Sequence, residues 1–169
     1  QGGDLAGRTI VVSAGGTMEP IDPVRVITNY SSGKMGYAVA EAARDRGAKV
    51  VLVAAPTGLP DPPLVRMVRV RTAQEMCSAV LNNVVDADVL IMAAAVADYR
   101  PAVEAQQKIK KSADGLNIQL AKTPDILEEA EGLWDFKDAQ GNTLRGTKAL
   151  KPILCFRDGV QFSVGYGPF

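Results

Sequence analysis

A three-layer α/β fold with a mostly parallel sheet is predicted by two observations, and a third adds an antiparallel flap. Short β-branched runs alternate with segments of helical periodicity, and glycines stand where strands hand over to loops. Beyond Pro101 the pattern changes to period two on either side of Asp114-Gly115, a strong hairpin signal.

Thr9-Ile10-Val11-Val12-Ser13-Ala14 suits a strand buried on both faces, and Gly15-Gly16-Thr17 ends it. Residues 19–29, with Pro20 and Pro23, read as a loop. Ser31-Ser32-Gly33 opens a helix over 34–46, with Ala38, Val39, Ala42 and Ala43 as its close-packing face and Gly47 as its stop. Residues 49–54 form the second strand, 56–63 a proline-rich loop and 66–71 the third strand. Thr72 and Glu75 make a capping box for a helix to about Asn83, and residues 89–93 are the fourth strand. In the flap, Lys108-Ile109-Lys110 is set against Asn117-Ile118-Gln119-Leu120. Thr123-Pro124 supplies the N-cap and first residue of a helix through Glu129. From Gly132 onward only Pro152-Ile153-Leu154-Cys155-Phe156 reads as a strand. Strand–helix alternation with right-handed crossovers makes the arrangement Rossmann-like.

The 169 residues include 19 Lys+Arg, 19 Asp+Glu and no histidine. Zero formal charge offers no general attraction to nucleic acid or an anionic membrane, so any anion site is built locally. The missing histidine removes Ser-His-Asp and Cys-His catalysis, and Cys77 and Cys155 do not form a CxxC pair. No apolar run reaches the roughly 18 residues of a membrane span, and Gln1-Gly2-Gly3-Asp4 is not a signal sequence. A reduced, cytoplasmic location is expected. Cys77 reads as a packing thiol, and Trp134, Phe136 and Phe156 as core plugs.

Open parallel sheets bind ligands beyond the carboxyl ends of their strands. Three polar clusters fall at that edge: Gly15-Gly16-Thr17, Ser31-Ser32-Gly33-Lys34 and Asp98-Tyr99-Arg100. A helix opened by Ser31, Ser32 and Gly33 presents N–H groups and a positive dipole to a phosphate, although either serine also reads as a simple cap. It is no Walker A loop, because Thr28 stands where that motif needs its first glycine. Gly15 and Gly16 lack G-x-G-x-x-G spacing, which disfavours NAD. Asp98 follows the small-residue run Ala93 to Ala97 and can accept from a ribose or base, or serve a turn. Lys108, Lys110 and Lys111 suit a triphosphate or a guarded strand edge, with Lys108 and Lys110 on one face. Asn29, just before the helix, can both donate and accept.

Taken together, Gly15-Gly16-Thr17-x-Glu19-Pro20-Ile21-Asp22-Pro23-Val24-Arg25, Asn29-Tyr30-Ser31-Ser32-Gly33-Lys34-Met35-Gly36, Ala94-Ala95-Val96-Ala97-Asp98-Tyr99-Arg100-Pro101 and Lys108-Ile109-Lys110-Lys111 resemble phosphopantothenate–cysteine ligase. This is the synthetase half of the bifunctional coenzyme A biosynthesis flavoprotein. The resemblance runs in order from Gly7 to about Leu127.

It implies a ligase in which the carboxylate of 4′-phosphopantothenate attacks the α-phosphate of CTP, releasing pyrophosphate. The amine of cysteine then attacks the acyl-cytidylate, releasing CMP and forming an amide. By matched position, Asn29 holds the acyl-phosphate intermediate, and Met92, Ala93, Ala94 and Asp98 bind the cytidine nucleotide. Lys108 contacts its phosphates, and Gly15, Gly16, Ser31, Ser32 and Gly33 form the phosphate cradle. The resemblance also implies Mg²⁺, a homodimer whose flap reaches towards the partner, and a fused or associated decarboxylase.

Residues 1–7 then read as a linker or edge segment and 8–169 as one nucleotide-binding synthetase domain. Its tail, 131–169, departs from the family: Arg157-Asp158-Gly159 stands where an Ala-Ala-Glu-Thr-like turn is expected. Two further readings remain, a catalytically silent nucleotide-binding or dimerisation module and a Rossmann oxidoreductase.

Overall fold

The structure, a computed structural model, describes residues 3–111, 115–131, 133 and 153–156. The central sheet has the order β5-β4-β1-β6-β9. Its strands are β1 (Thr9–Ala14), β4 (Lys49–Ala54), β5 (Arg66–Arg69), β6 (Val89–Met92) and β9 (Ile153–Phe156). The pairings β1–β4, β1–β6 and β4–β5 are parallel, while β9 lies antiparallel on β6. The predicted Rossmann-like sheet is present. The expected tail strand contributes the antiparallel edge.

The alternation within β1 divides the core into two layers. Ile10, Val12 and Ala14 join Val50, Leu52, Val89 and Ile91 on one face. Val11, Val51, Val53 and Leu90 form the other. Each fully buried Val or Leu contributes roughly 1.5–3 kcal/mol of transfer free energy, so a sheet covered on both sides is the stable solution. Helix α1 (Lys34–Asp45) covers the first face with Gly36, Tyr37, Ala40 and Ala43. This corrects the expected face: Ala38 and Ala42 are exposed and Val39 is half-buried. The close packing comes from Gly36, where a Cβ would sit 2.5 Å from that of Ala14. Gly47, at φ 93°, ends the helix as expected. Leu5 is buried beside this end, and its N–H donates to Arg46 O at 3.0 Å.

Helix α2 (Ala73–Val84) covers the second face through Met76, Cys77, Val80 and Val84. Helix α3 (Ile126–Glu131) adds Ile126 and Ala130 to that layer. Its expected cap is corrected from Thr123 to Asp125, whose Oδ1 accepts from Leu127 N at 3.0 Å and Glu128 N at 3.2 Å. Thr123 instead bonds Ala97 O.

Two small antiparallel pairs stand beside the sheet. The region read as a loop is a hairpin, β2 (Met18–Asp22) and β3 (Arg25–Thr28). Its turn is closed by Asp22 Oδ1, which accepts from Val24 N at 3.0 Å and Arg25 N at 2.9 Å. The prolines therefore flank or interrupt a ladder rather than prevent one, and the register shifts between Pro20 and Asp22. In the flap, the paired strands are β7 (Tyr99–Pro101) and β8 (Leu120–Lys122), and residues 108–110 carry no ladder. The period-two signal around Lys108 is corrected accordingly. The backbone of Ile109 bonds the β2–β3 turn instead. Asp114, Trp134, Phe136 and the Arg157-Asp158-Gly159 turn lie outside the described residues, as do the side chains of Cys155 and Phe156.

Candidate active site at the carboxyl edge of the sheet

β1 and β6 deliver two loops side by side. Buried Ser13, at the end of β1, accepts from Ala93 N at 3.1 Å and Ala94 N at 3.2 Å. Ala95 N donates to Gly15 O at 2.8 Å, and Gly16 and Ala95 form a parallel bridge. Thr17, also buried, accepts from Ala97 N at 2.9 Å. The small-residue run is thus pinned along its length. Ala93 and Ala94 commit their N–H groups to Ser13 and offer no backbone donor beyond it. From the sequence, Thr17 stands out only as part of the Gly15-Gly16-Thr17 cluster, and Ser13 not at all. A hydroxyl residue among apolar strand positions was the available signal.

The segment after β3 closes onto these loops. Thr28 Oγ1 donates to Thr17 O at 2.8 Å, and Asn29 Nδ2 donates to Val96 O at 3.1 Å. Asn29 is exposed, and among the described residues its second N–H and its Oδ1 make no further hydrogen bond. A Cβ on Gly16 would lie 2.6 Å from Asn29 O. Gly15, at φ 84°, approaches Ala55 O so closely that a Cβ would sit at 2.9 Å. These glycines are required by backbone proximity. They bring Gly15, Gly16, Asn29 and Ser31 together.

The first turn of α1 faces this junction. Gly33 is its N-cap, at φ 73°, and no side chain caps the helix. The simple-cap reading of Ser31 and Ser32 is therefore corrected. Their hydroxyls make only long local contacts, Ser31 Oγ with Gly33 N at 3.3 Å and Ser32 Oγ with Lys34 N at 3.4 Å. No acidic residue stands in the first turn. Among the described residues, only these long serine contacts meet the N-terminal N–H groups and no acid offsets the positive end of the helix dipole, an arrangement that favours an anion.

Asp98 is exposed at the start of the flap with no side-chain hydrogen bond among the described residues, while its carbonyl accepts from Thr123 N at 3.0 Å. Lys108 is placed elsewhere, beside the β2–β3 turn. Asp22 is the buried residue behind it, missed by sequence reading because an Asp between prolines reads as an ordinary turn former. The Arg25 guanidinium holds the Asp22 carboxyl well below the usual carboxylate range, against the opposing effect of burial. The N–H groups of Ile109, Val24 and Arg25 add to the depression.

Cys77 is buried, and burial, aided by Glu129 and Asp125, raises its thiol pKa. That fits packing rather than nucleophilic chemistry. Among the described residues, no group of three or more His, Cys, Asp and Glu is placed to hold a metal, and no helix is long and apolar enough to cross a membrane.

A doubly covered, mostly parallel sheet with its polar loops gathered at one edge defines a Rossmann-like α/β domain. Residues 5–135 match the family described as the DNA/pantothenate metabolism flavoprotein C-terminal domain, and the chain belongs to that family. It is 51% identical over 133 residues to the coenzyme A biosynthesis bifunctional protein CoaBC of Vibrio parahaemolyticus, covering 78% of this chain and 33% of that protein. The CoaBC of Mycobacterium tuberculosis is 56% identical over 126 residues, 73% of this chain and 30% of that one. The chain thus spans about a third of the length of the curated relatives it matches. Among solved structures, the C-terminal domain of CoaBC is similar at TM-score 0.66 and 46% identity, over 76% of this chain and 60% of that chain. The DNA/pantothenate metabolism flavoprotein of Streptococcus pneumoniae is similar at TM-score 0.65 and 28% identity, over 75% and 64%.

Proposed function

We propose that this chain is the synthetase unit of coenzyme A biosynthesis, joining 4′-phosphopantothenate to cysteine with CTP. The observation that carries the reading is the meeting of the uncapped α1 N-terminus with Gly15, Gly16 and Asn29, in a chain of this family. In the first step a carboxylate oxygen of phosphopantothenate bonds to the α-phosphorus of CTP and the bond to pyrophosphate breaks. In the second the cysteine amine bonds to the acyl carbon, CMP leaves with the electron pair, and the amine loses a proton.

Each residue type suits its step. The α1 N-terminus with Gly15, Gly16, Ser31, Ser32 and Gly33 binds phosphate, and Lys108 adds charge to the triphosphate. Asp98 and the run over residues 92–94 receive the cytidine, with Asp98 accepting from its hydroxyl or amino groups. The free N–H of Asn29 donates to the acyl phosphate as charge develops there. Such chemistry needs positioning and charge stabilisation, so a chain without histidine can perform it.

A carboxylate such as that of Asp98, exposed at the sheet edge, would help the substrate phosphates to hold the Mg²⁺ of the reaction. When bound it screens the phosphate charge. A homodimer is proposed through the flap, where Tyr99, Val103, Leu116 and Leu120, on β7, β8 and the chain between them, are each exposed. A decarboxylase fused to or associated with the chain, and a cytoplasmic location, complete the reading.

The test is pyrophosphate release from CTP with 4′-phosphopantothenate and Mg²⁺, with and without cysteine, following the amide in parallel. Pyrophosphate release with cysteine-dependent amide formation is expected. CTP binding without turnover would instead identify a silent nucleotide-binding module, and equal stabilisation by NADPH would contradict the nucleotide assignment.

A further inference from the structure

We propose that Asp22 is a positioning residue that holds the lysine segment, residues 108–111, in place for a polyphosphate through the peptide of Ile109. The proposal rests on the reading of Lys108 as a triphosphate contact.

The two oxygens of the Asp22 carboxylate serve different ends. Oδ1 closes the β2–β3 turn, accepting from Val24 N at 3.0 Å and Arg25 N at 2.9 Å. Oδ2 accepts from Arg25 Nε at 3.0 Å, from Arg25 Nη2, and from Ile109 N at 3.1 Å. Arg25 Nη2 also donates to Ile109 O at 3.0 Å. The peptide groups of Ile109 are therefore held on both the donor and the acceptor side by one ion pair, buried on its Asp22 side and partly exposed on its Arg25 side. A second stitch lies just upstream, where Ala105 N donates to Ile21 O at 3.0 Å.

This placement explains how a run of like charges is kept in order. Lys108, Lys110 and Lys111 are exposed and form no ion pair among the described residues. They carry no strand ladder either. Mutual repulsion alone would leave such a run solvated and mobile. Ile109, half-buried between exposed lysines, is the anchor. Fixing the backbone in advance lowers the ordering cost of binding an anion. The charge on Asp22 persists far into acid because its carboxyl is depressed, so the anchor does not loosen near neutrality.

The division of labour selects the variant. Asp22→Asn, with its amide oxygen at Oδ1, keeps the turn and replaces Oδ2 by a donor that opposes Arg25 and the Ile109 N–H. Amide hydrogen exchange at Ile109 is expected to accelerate about tenfold or more, and affinity for CTP and for inorganic triphosphate to fall by about tenfold. In a Lys108→Ala background the same substitution is expected to have little further effect on affinity, an outcome that general loosening of the fold would not produce. If Asp22→Asn does not fold, Ile109→Pro removes the donated N–H together with the isoleucine side chain and is expected to reproduce the affinity loss, whereas Ile109→Ala, which removes the side chain and keeps the N–H, is expected to lose less.

Unchanged exchange at Ile109, or an equal affinity loss with and without Lys108, overturns the proposal, as does a wild-type chain that binds neither anion. A wild-type chain that binds inorganic triphosphate but not CTP, with that binding weakened by Asp22→Asn, removes the nucleotide reading and keeps the anchor.

Discussion

The N-termini of α1 and α2 are built from similar short helices on opposite faces of one sheet, yet their first turns are treated in opposite ways. At α2 every obvious demand is met. Thr72 Oγ1 accepts from Glu75 N at 3.2 Å, Glu75 Oε2 accepts from Arg71 N at 2.6 Å, and Glu19 Oε1, from β2, accepts from Ala73 N at 2.8 Å. Two carboxylates thus sit at the positive end of the dipole. At α1 the cap is a glycine, with neither side-chain acceptor nor acid in the first turn. Because a cap is worth about 1 kcal/mol, omitting one weakens the isolated helix. The difference separates a sealed helix end from an open one, the end to which the proposed function gives a phosphate.

The comparison can be broken most severely beside the open end. Asn29→Asp places an acceptor against Val96 O, 3.1 Å from the present Nδ2, and a negative charge where the acyl phosphate develops its own. Amide formation is expected to fall by about 10²–10³-fold, as for a lost oxyanion donor, while calorimetry still detects CTP binding. Unaltered amide formation removes Asn29 from the mechanism.

Ser32→Asp converts α1 towards the α2 pattern. Its carboxylate is expected to stabilise the empty helix by about 0.3–1 kcal/mol and to weaken CTP by about tenfold or more through repulsion of the triphosphate. Thermal melts with and without CTP read both effects, and a ligand-induced shift as large as wild type refutes the open-end assignment.

At the sealed end the expected losses concern stability alone. Glu19→Ala strips a buried partner from Ala73 N and is expected to cost about 1–3 kcal/mol in urea unfolding. Thr72→Ala is expected to cost about 1 kcal/mol. Both should leave CTP affinity per folded molecule unchanged. A fall in that affinity with either variant erases the distinction between the two helix ends.

The legibility of these features follows their range along the chain. The α2 capping box involves Thr72 and Glu75 within one turn, so its residue types identify it, although its reciprocal bond goes to Arg71 N rather than to Thr72. The Glu19 contribution arrives from 54 positions away and has no local signature. The same holds for Ser13, whose partners Ala93 and Ala94 lie some eighty residues on. The β2–β3 hairpin was concealed by Pro20 and Pro23, and the lysine segment passed for a strand because exposed lysines flanking an apolar Ile109 have the same period whether or not a ladder forms.

By itself the sequence determined the order of the central-sheet strands and the three helices, the parallel sheet and the family, since burial period, glycine stops and contiguous motifs are local quantities. It also singled out Gly15, Gly16, Asn29 and Ser31, which the fold brings together. Tertiary structure decided which helix face is buried, with Gly36 rather than Ala38 against β1, and which N–H groups remain open to a ligand. It alone joined Asp22 to Ile109. Hydrogen bonds between distant segments depend on where folding brings them, and an Asp or a Ser carries the same local signal whether its partner lies two residues away or eighty.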